Sequence, residues 1–321
     1  MENVKIVGCG YAKAQVRVWN EDLEKIVETS DAWIQQRTGI QSRYITKDEN
    51  TSDLAYRAAV DALKDANMEA KEIELILVAS ATPDHFTPAT SCLVQEKLGL
   101  NGEECTALDI NAACSGFVYG LTLASCLLEK YKTILVIGAE TLSKIVDWTD
   151  RNTCILFGDG AGACIVQQST NKKMFTYTKS TGDVEGVLKG AGLPIKAGLI
   201  NGEKNYGYLH MDGKEVFRFA LKAMQESIEK VCEQAQILPK DIDLIIPHQA
   251  NIRIIRHVAK KMQLDEDKFF VNLEEFGNTS SASIAIALAC AKEQGKLKPG
   301  MKIVLAGFGA GFTSGGVYLE W

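Results

Sequence analysis

Two stretches of this sequence occur twice at one spacing, and that repeat limits the fold more than any single motif. Residues 71–77 (KEIELIL) match 240–246 (KDIDLII), and 134–140 (ILVIGAE) match 303–309 (IVLAGFG). Both pairs are offset by 169 residues (240 − 71 and 303 − 134). Each match is an apolar run of strand length with a helical pattern ahead of it. Buried strands are expected at 73–79, 134–138, 242–247 and 301–307, and amphipathic helices at 53–67, 116–130 and 215–236. Strands alternating with helices predict an α/β fold with mostly parallel strands. The duplication predicts two halves, 1–166 and 167–321, with a site at their junction. Between them, 167–213 is rich in Gly, Asn, Lys and Thr. It reads as hairpins and loops, either a flap over the site or a surface connection.

Composition narrows the function classes. A net charge of −6 argues against nucleic acid as the main partner. Nine cysteines, an odd number with scattered spacing, do not form a disulfide framework. Cys126, Cys164 and Cys290 sit in apolar runs and are expected as small core residues. Reduced thiols point to the cytoplasm. No C-x-x-C or H-x-x-x-H pair suggests a metal site. The apolar run near the start is too short for a signal peptide, and the longest one, around 285–291, is well short of the ~18 residues of a membrane span. A soluble protein is expected.

Three residues stand where predicted strands end in small residues: Cys114 in NAACSGF, His248 in IIPHQAN and Asn278 in GNTSSAS. Cys114 opens a predicted helix, where the dipole and free N–H groups should lower the thiol pKa. Gly116 and Gly120, one turn apart, would let another element approach that helix. The bland alternative is one more buried small residue. His248 lies at the carboxyl end of a strand, where open α/β sheets bind ligands; the alternative is a helix-capping histidine. Asn278 alone would be a turn or capping residue, and it gains weight from the other two. A thiol, an imidazole and an amide are the parts that covalent chemistry on a thioester needs.

Other strings are less specific. Gly8-x-Gly10 has Lys13 where the dinucleotide fingerprint wants glycine. GDGAG at 158–162 and GFGAG at 307–311 lack the spacing of phosphate loops; they suit close backbone approach or N–H groups presented to an oxyanion. Arg253, Arg256, His257, Lys260 and Lys261 form one helical stripe, either a solvated face or a dock for an acidic partner. Trp33 and Arg37 lie one turn apart on a helix capped by Ser30, an arrangement that suits a phosphate-bearing nucleotide or simple core packing.

In order and spacing, TSDAWIQQRTGI, NAACSGF, FGDGAGA, PHQANIRII, GNTSSAS and GFGAGFT resemble the β-ketoacyl-[acyl-carrier-protein] synthase III family nearly from end to end. The resemblance implies a thiolase-like fold, two duplicated α/β halves layered α-β-α-β-α. It implies condensation of an acyl-CoA primer with malonyl-[acyl-carrier protein], the opening step of bacterial type II fatty-acid synthesis. Cys114 would take the acyl group, and His248 and Asn278 would bind the malonyl thioester carbonyl. The second oxyanion would be held by backbone N–H groups of Cys114 and of the loop at Ala310, where relatives often carry Gly. Trp33 and Arg151 match an adenine sandwich, Thr29 and Arg37 nucleotide and phosphate contacts. Gly213, Phe217, Ala250, Asn251 and Phe308 match a pantetheine tunnel. Arg253, Arg256, Lys260 and Lys261 match a carrier-protein surface. Coenzyme A would be a substrate, with no prosthetic group, and the enzyme a homodimer.

One departure bears on the primer. Relatives often have Phe just before the proline of an acyl-pocket loop, and this chain reads HFTP, with Thr87 there and Phe86 one residue earlier. An open pocket would admit longer or branched primers; a shifted loop would let Phe86 fill it. Among rivals, a degradative thiolase should have a second cysteine in AGFGAGFTSGG, which has none. A papain-like thioester hydrolase does not fit the duplicated unit. A polyketide-type condensing enzyme shares the chemistry and stays open.

Overall fold

The computed structural model describes residues 3–183, 185–192 and 207–321. Its strands are β1 (Asn3–Lys13), β2 (Val16–Trp19), β3 (Ser42–Ile45), β4 (Leu75–Ala79), β5 (Thr106–Ile110), β6 (Thr133–Glu140), β7 (Gly160–Ser180), β8 (Leu188–Lys189), β9 (His210–Met211), β10 (Leu244–Pro247), β11 (Lys302–Gly309) and β12 (Thr313–Glu320). Its helices are α1 (Asn20–Leu23), α2 (Asp31–Thr38), α3 (Thr51–Ala66), α4 (Thr90–Lys97), α5 (Gly116–Leu127), α6 (Arg151–Cys154), α7 (Gly213–Ala235), α8 (Ile252–Met262), α9 (Leu273–Phe276) and α10 (Ala282–Glu293).

The repeat in the sequence is a repeat in the backbone. In the first half the strand order is β5-β4-β6-β7, with β1 on the far side of β7; in the second it is β10-β11-β12-β7. β4 runs parallel to β6 as β10 runs parallel to β11. The Glu74 N–H donates to the Thr133 carbonyl at 3.0 Å, and 169 residues on, the Asp243 N–H donates to Lys302 at 2.9 Å. Asn67 and Gln236, also 169 apart, end α3 and α7 in the left-handed conformation (φ 52° and 56°). Among the described residues, β5 survives in the second half only as one bridge, Ile245 to Phe269.

β4 and β6 are buried at every position, because helices cover both faces, and their continuous apolar sequences reflect this. α3 packs on one side of the first half, α7 on the outer side of the second, and α5 and α10 lie between the halves. α10 is buried at Ala282–Ala291 and rests directly on strand backbone. A Cβ at Gly138 would stand 2.3 Å from the Ser281 carbonyl oxygen, and one at Gly162 would stand 2.4 Å from the Ile286 nitrogen. Gly8 and Gly10 play the same part against Ala62 of α3, which settles their role as packing glycines. The layering is α-β-α-β-α, that of the thiolase-like fold.

Two expectations need correction. Residues 167–180 are not loop but the second part of β7. Residues 160–168 pair with β1 and β6, while 174–180 pair with β12. The polar composition misled because this extension is only partly buried, with Met174 its one fully buried position. Only the short β8–β9 pair matches the expected hairpin, and 193–206 lie outside the described residues. Cys164 and Cys290 are buried as expected, but Cys126 is exposed on α5.

Candidate active site

Cys114 follows β5 and occupies a 3₁₀ turn (Ala113–Ser115) that runs straight into α5. Ala113 is held at φ 47°, a conformation that costs a β-carbon residue about 1 kcal/mol or more and persists only under constraint. That constraint includes Gly309, whose added Cβ would lie 2.7 Å from the Cys114 nitrogen. The thiol is 8% exposed. Burial pushes it up to about 12, against smaller downward effects of a Ser280 hydrogen bond and its own backbone, with Glu140 adding to the rise. Desolvation of the thiolate thus opposes the lowering expected at the helix N-terminus.

His248 leaves β10 with its N–H on the Ala306 carbonyl at 2.8 Å. Its Nδ1 lies 2.6 Å from Ser283 Oγ, and the Phe308 ring stands edge-on at 5.1 Å. Complete burial drives the imidazole down to about 3, so it is neutral at physiological pH.

Asn278 follows Gly277, whose φ of 64° suits glycine. Its backbone is clamped on both sides: its N–H donates to Leu156 at 2.8 Å, and its carbonyl accepts from Gly158 at 3.0 Å. The side-chain Oδ1 accepts the Ser280 N–H at 2.9 Å, which fixes the amide orientation. The Nδ2 donors have no partner among the described residues, and Asn278 lines the same cavity as Cys114 and His248.

That cavity, of about 200 Å³, is mainly apolar, with Leu142, Leu156 and Phe157 among its walls. Gly213, Phe217, Ala250, Asn251, Phe308 and Ala310 all line it. Asn251 caps α8 through Arg253 N–H at 2.9 Å and donates to the Arg37 carbonyl at 3.1 Å, tying the cavity to α2. On α2, Trp33 is flanked by the Arg151 guanidinium at 4.8 Å and that of Arg37 at 5.5 Å. The Thr29 hydroxyl is buried without a partner among the described residues. Arg253, Arg256, His257, Lys260 and Lys261 are all exposed on α8; Arg253 stacks at 5.8 Å over the cavity residue Phe217. Phe86 and Thr87 are the exception. Both are exposed, Phe86 by 76%, and neither lines the cavity of a single chain.

Sequence reasoning missed Glu140. This buried carboxylate ends β6 and accepts from Thr82 Oγ1 at 2.5 Å, Ser281 Oγ at 2.8 Å and the Ala81 N–H at 3.1 Å. It joins the first half to the 278–281 turn, and burial raises its pKa. The available signal was a charge closing an apolar strand, ILVIGAE. Among the described residues no group of side chains could hold a metal ion.

Known proteins resemble the chain throughout. The model for 3-oxoacyl-[acyl-carrier-protein] synthase III matches residues 108–182, and that for its C-terminal part matches 232–321. β-Ketoacyl-[acyl-carrier-protein] synthase III of Clostridium tetani is 47% identical over 332 residues, covering 100% of this chain and 99% of the relative. That of Clostridium perfringens strain SM101 is 48% identical over 326 residues, covering both in full. The crystal structure of the 3-oxoacyl synthase III of Aquifex aeolicus superposes with a TM-score of 0.92 at 44% identity, covering 99% and 100%. A priming β-ketosynthase of the R1128 polyketide pathway gives 0.90 at 30% identity, covering 99% and 96%. With full-length identity near one half and a thiol, an imidazole and an amide around one cavity, this chain belongs to the β-ketoacyl-[acyl-carrier-protein] synthase III family.

Proposed function

We propose that this acyltransferase joins an acyl-CoA primer to malonyl-[acyl-carrier protein], releasing CO₂ and giving the 3-oxoacyl-[acyl-carrier protein] that opens fatty-acid synthesis. The observation that carries this reading is the Asn278 amide, whose oxygen is occupied by Ser280, which leaves its donors free in a residue that lines one cavity with Cys114 and His248.

In the first half-reaction Cys114 Sγ attacks the acyl-CoA carbonyl. The C–S bond to coenzyme A breaks, and the thiol proton ends on the departing sulfur, so no net base is consumed. The Trp33, Arg37 and Arg151 cluster, with the Thr29 hydroxyl, supports nucleotide binding at the mouth. Gly213, Phe217, Ala250, Asn251 and Phe308 support passage of the pantetheine arm.

In the second half-reaction the malonyl C–C bond breaks, CO₂ leaves, and the electron pair is held as an enolate. His248 and Asn278 donate to the thioester oxygen, where charge grows in the transition state, and stabilise it more than the ground state. A neutral, donating imidazole suits this task. The enolate carbon attacks the acyl-cysteine, the tetrahedral oxygen is received by backbone N–H groups of Cys114 and the Ala310 loop, and the cysteine sulfur leaves as thiolate and takes a proton from solvent.

The exposed cations of α8 support docking of an acidic carrier. Coenzyme A is a substrate, and no prosthetic group is needed. The two halves divide the work, 1–166 supplying the nucleophile and 167–321 the donor pair. Among the described residues no helix is long and apolar enough to cross a membrane. The enzyme works as a cytoplasmic homodimer, in which Phe86 and Thr87 of one copy reach the acyl pocket of the other. Labelled acyl-CoA with and without malonyl-carrier protein tests the reading. Acyl-Cys114 followed by malonyl-dependent C–C bond formation is expected; free acid as the main product would indicate a hydrolase.

A further inference from the structure

Ser283 stands in the first turn of α10 and is 2% exposed. Its Oγ lies 2.6 Å from His248 Nδ1. This short contact can be made in two ways with opposite consequences. If the serine hydroxyl donates, Nδ1 accepts and the ring proton sits on Nε2, making that nitrogen a donor. If Nδ1–H donates, Nε2 is bare and acts as a base.

The surroundings of Ser283 discriminate between them. The Gln249 N–H also points at the serine Oγ, weakly, at 3.5 Å, and uses it as an acceptor. Among the described residues no acceptor other than Nδ1 is within hydrogen-bond reach of this hydroxyl. An Nδ1–H imidazole would thus strand a buried O–H, at a cost of about 1–3 kcal/mol. A flipped ring would present carbon to Ser283 and strand it too, and the edge-on Phe308 ring at 5.1 Å confines the imidazole from another side. No charged group is needed to select the tautomer.

We propose that Ser283 is a positioning residue that holds His248 as the Nε2–H tautomer, so that the ring donates to the malonyl thioester oxygen rather than acting as a base. The inference rests on the role given to His248 in condensation. It adds a residue that touches no substrate.

The test is ¹⁵N NMR of histidine-labelled enzyme, with the His248 signals assigned by their absence in His248→Asn, together with separate rates for the two half-reactions. In the native enzyme Nε2 should be protonated and Nδ1 not; a protonated Nδ1 would overturn the proposal without any variant. In Ser283→Ala the tautomer balance should shift, and condensation should fall relative to acyl transfer by on the order of a hundredfold, the scale of losing one oxyanion donor. Ser283→Thr, which keeps the hydroxyl, should restore both. An unchanged tautomer in Ser283→Ala would overturn the proposal, and so would a shifted tautomer with an undiminished condensation rate. Full condensation in His248→Asn would instead strike the proposed role of His248 itself.

Discussion

The backbone of Gly309 runs so close to Cys114 that a methyl group on it would stand 2.7 Å from the Cys114 nitrogen and 3.2 Å from its Cα. The last residue of β11 in the second half therefore sets the position of the nucleophile in the first. The atoms in the way are backbone, which cannot turn aside as a flexible side chain would.

Gly309→Ala should displace Cys114 and lower both half-reactions together, by about a hundredfold for a shift near 1 Å. Destabilisation by about 1–3 kcal/mol is expected from overpacking. Separate assays of acyl transfer and condensation, with a denaturant titration, check this. Loss of condensation alone would contradict it.

A buried thiol at about 12 should be unreactive in the resting enzyme. Alkylation of Cys114 by iodoacetamide should be slow at pH 7 and climb steadily to pH 10, because only the thiolate reacts. A plateau reached below pH 7 would show a preformed thiolate and restore the helix-dipole expectation.

His248 titrates in the folded protein near 3 rather than at its ordinary 6.5. As pH falls between those values, the unfolded chain binds a proton that the native one refuses. The contribution of His248 to stability is thus present above 6.5 and is lost on acidification toward 3, by up to about 1.4 kcal/mol per pH unit. Malonyl decarboxylation should show no acid limb near pH 6.5, and a limb there would contradict the neutral imidazole. Comparing the stability of native and His248→Asn protein across pH 7 to 4 isolates the residue.

Glu140 shows how one buried carboxylate can align a turn. Glu140→Ala would leave the Thr82 hydroxyl and the Ala81 N–H short of an acceptor, costing about 1–3 kcal/mol for each group left unsatisfied, while the Ser281 hydroxyl keeps the Ala79 carbonyl at 2.8 Å. A drop in stability with a larger loss of condensation than of acyl transfer is expected. A neutral effect on both would remove Glu140 from this account.

The parts of this molecule that were legible in the sequence are those where one force dominates. Strands β4 and β10 are apolar throughout, and β6 and β11 are apolar except at their ends (Thr133, Glu140 and Lys302), because both faces are buried, and the 169-residue offset persists down to single hydrogen bonds. Cys114 and His248 were legible because strand ends open onto the junction, whereas Asn278, expected at a strand end, instead follows the short helix α9 and Gly277. What competes with burial was harder to read. The Cys114 thiol lies between a dipole and desolvation, and how deeply it is buried is set by packing that the local sequence does not show. The extension 174–180 of β7 looked like loop because its partner β12 is far away in sequence. Glu140 and Ser283 act through contacts 141 and 35 residues away, which no local pattern announces.

The central claim is that Cys114 serves the first half-reaction and Asn278 only the second. Rapid-quench measurement of Asn278→Ala with labelled acyl-CoA, before and after addition of malonyl-carrier protein, tests it most directly. The account predicts acyl-Cys114 that accumulates and then fails to be consumed. Equal loss of acylation and condensation would contradict it.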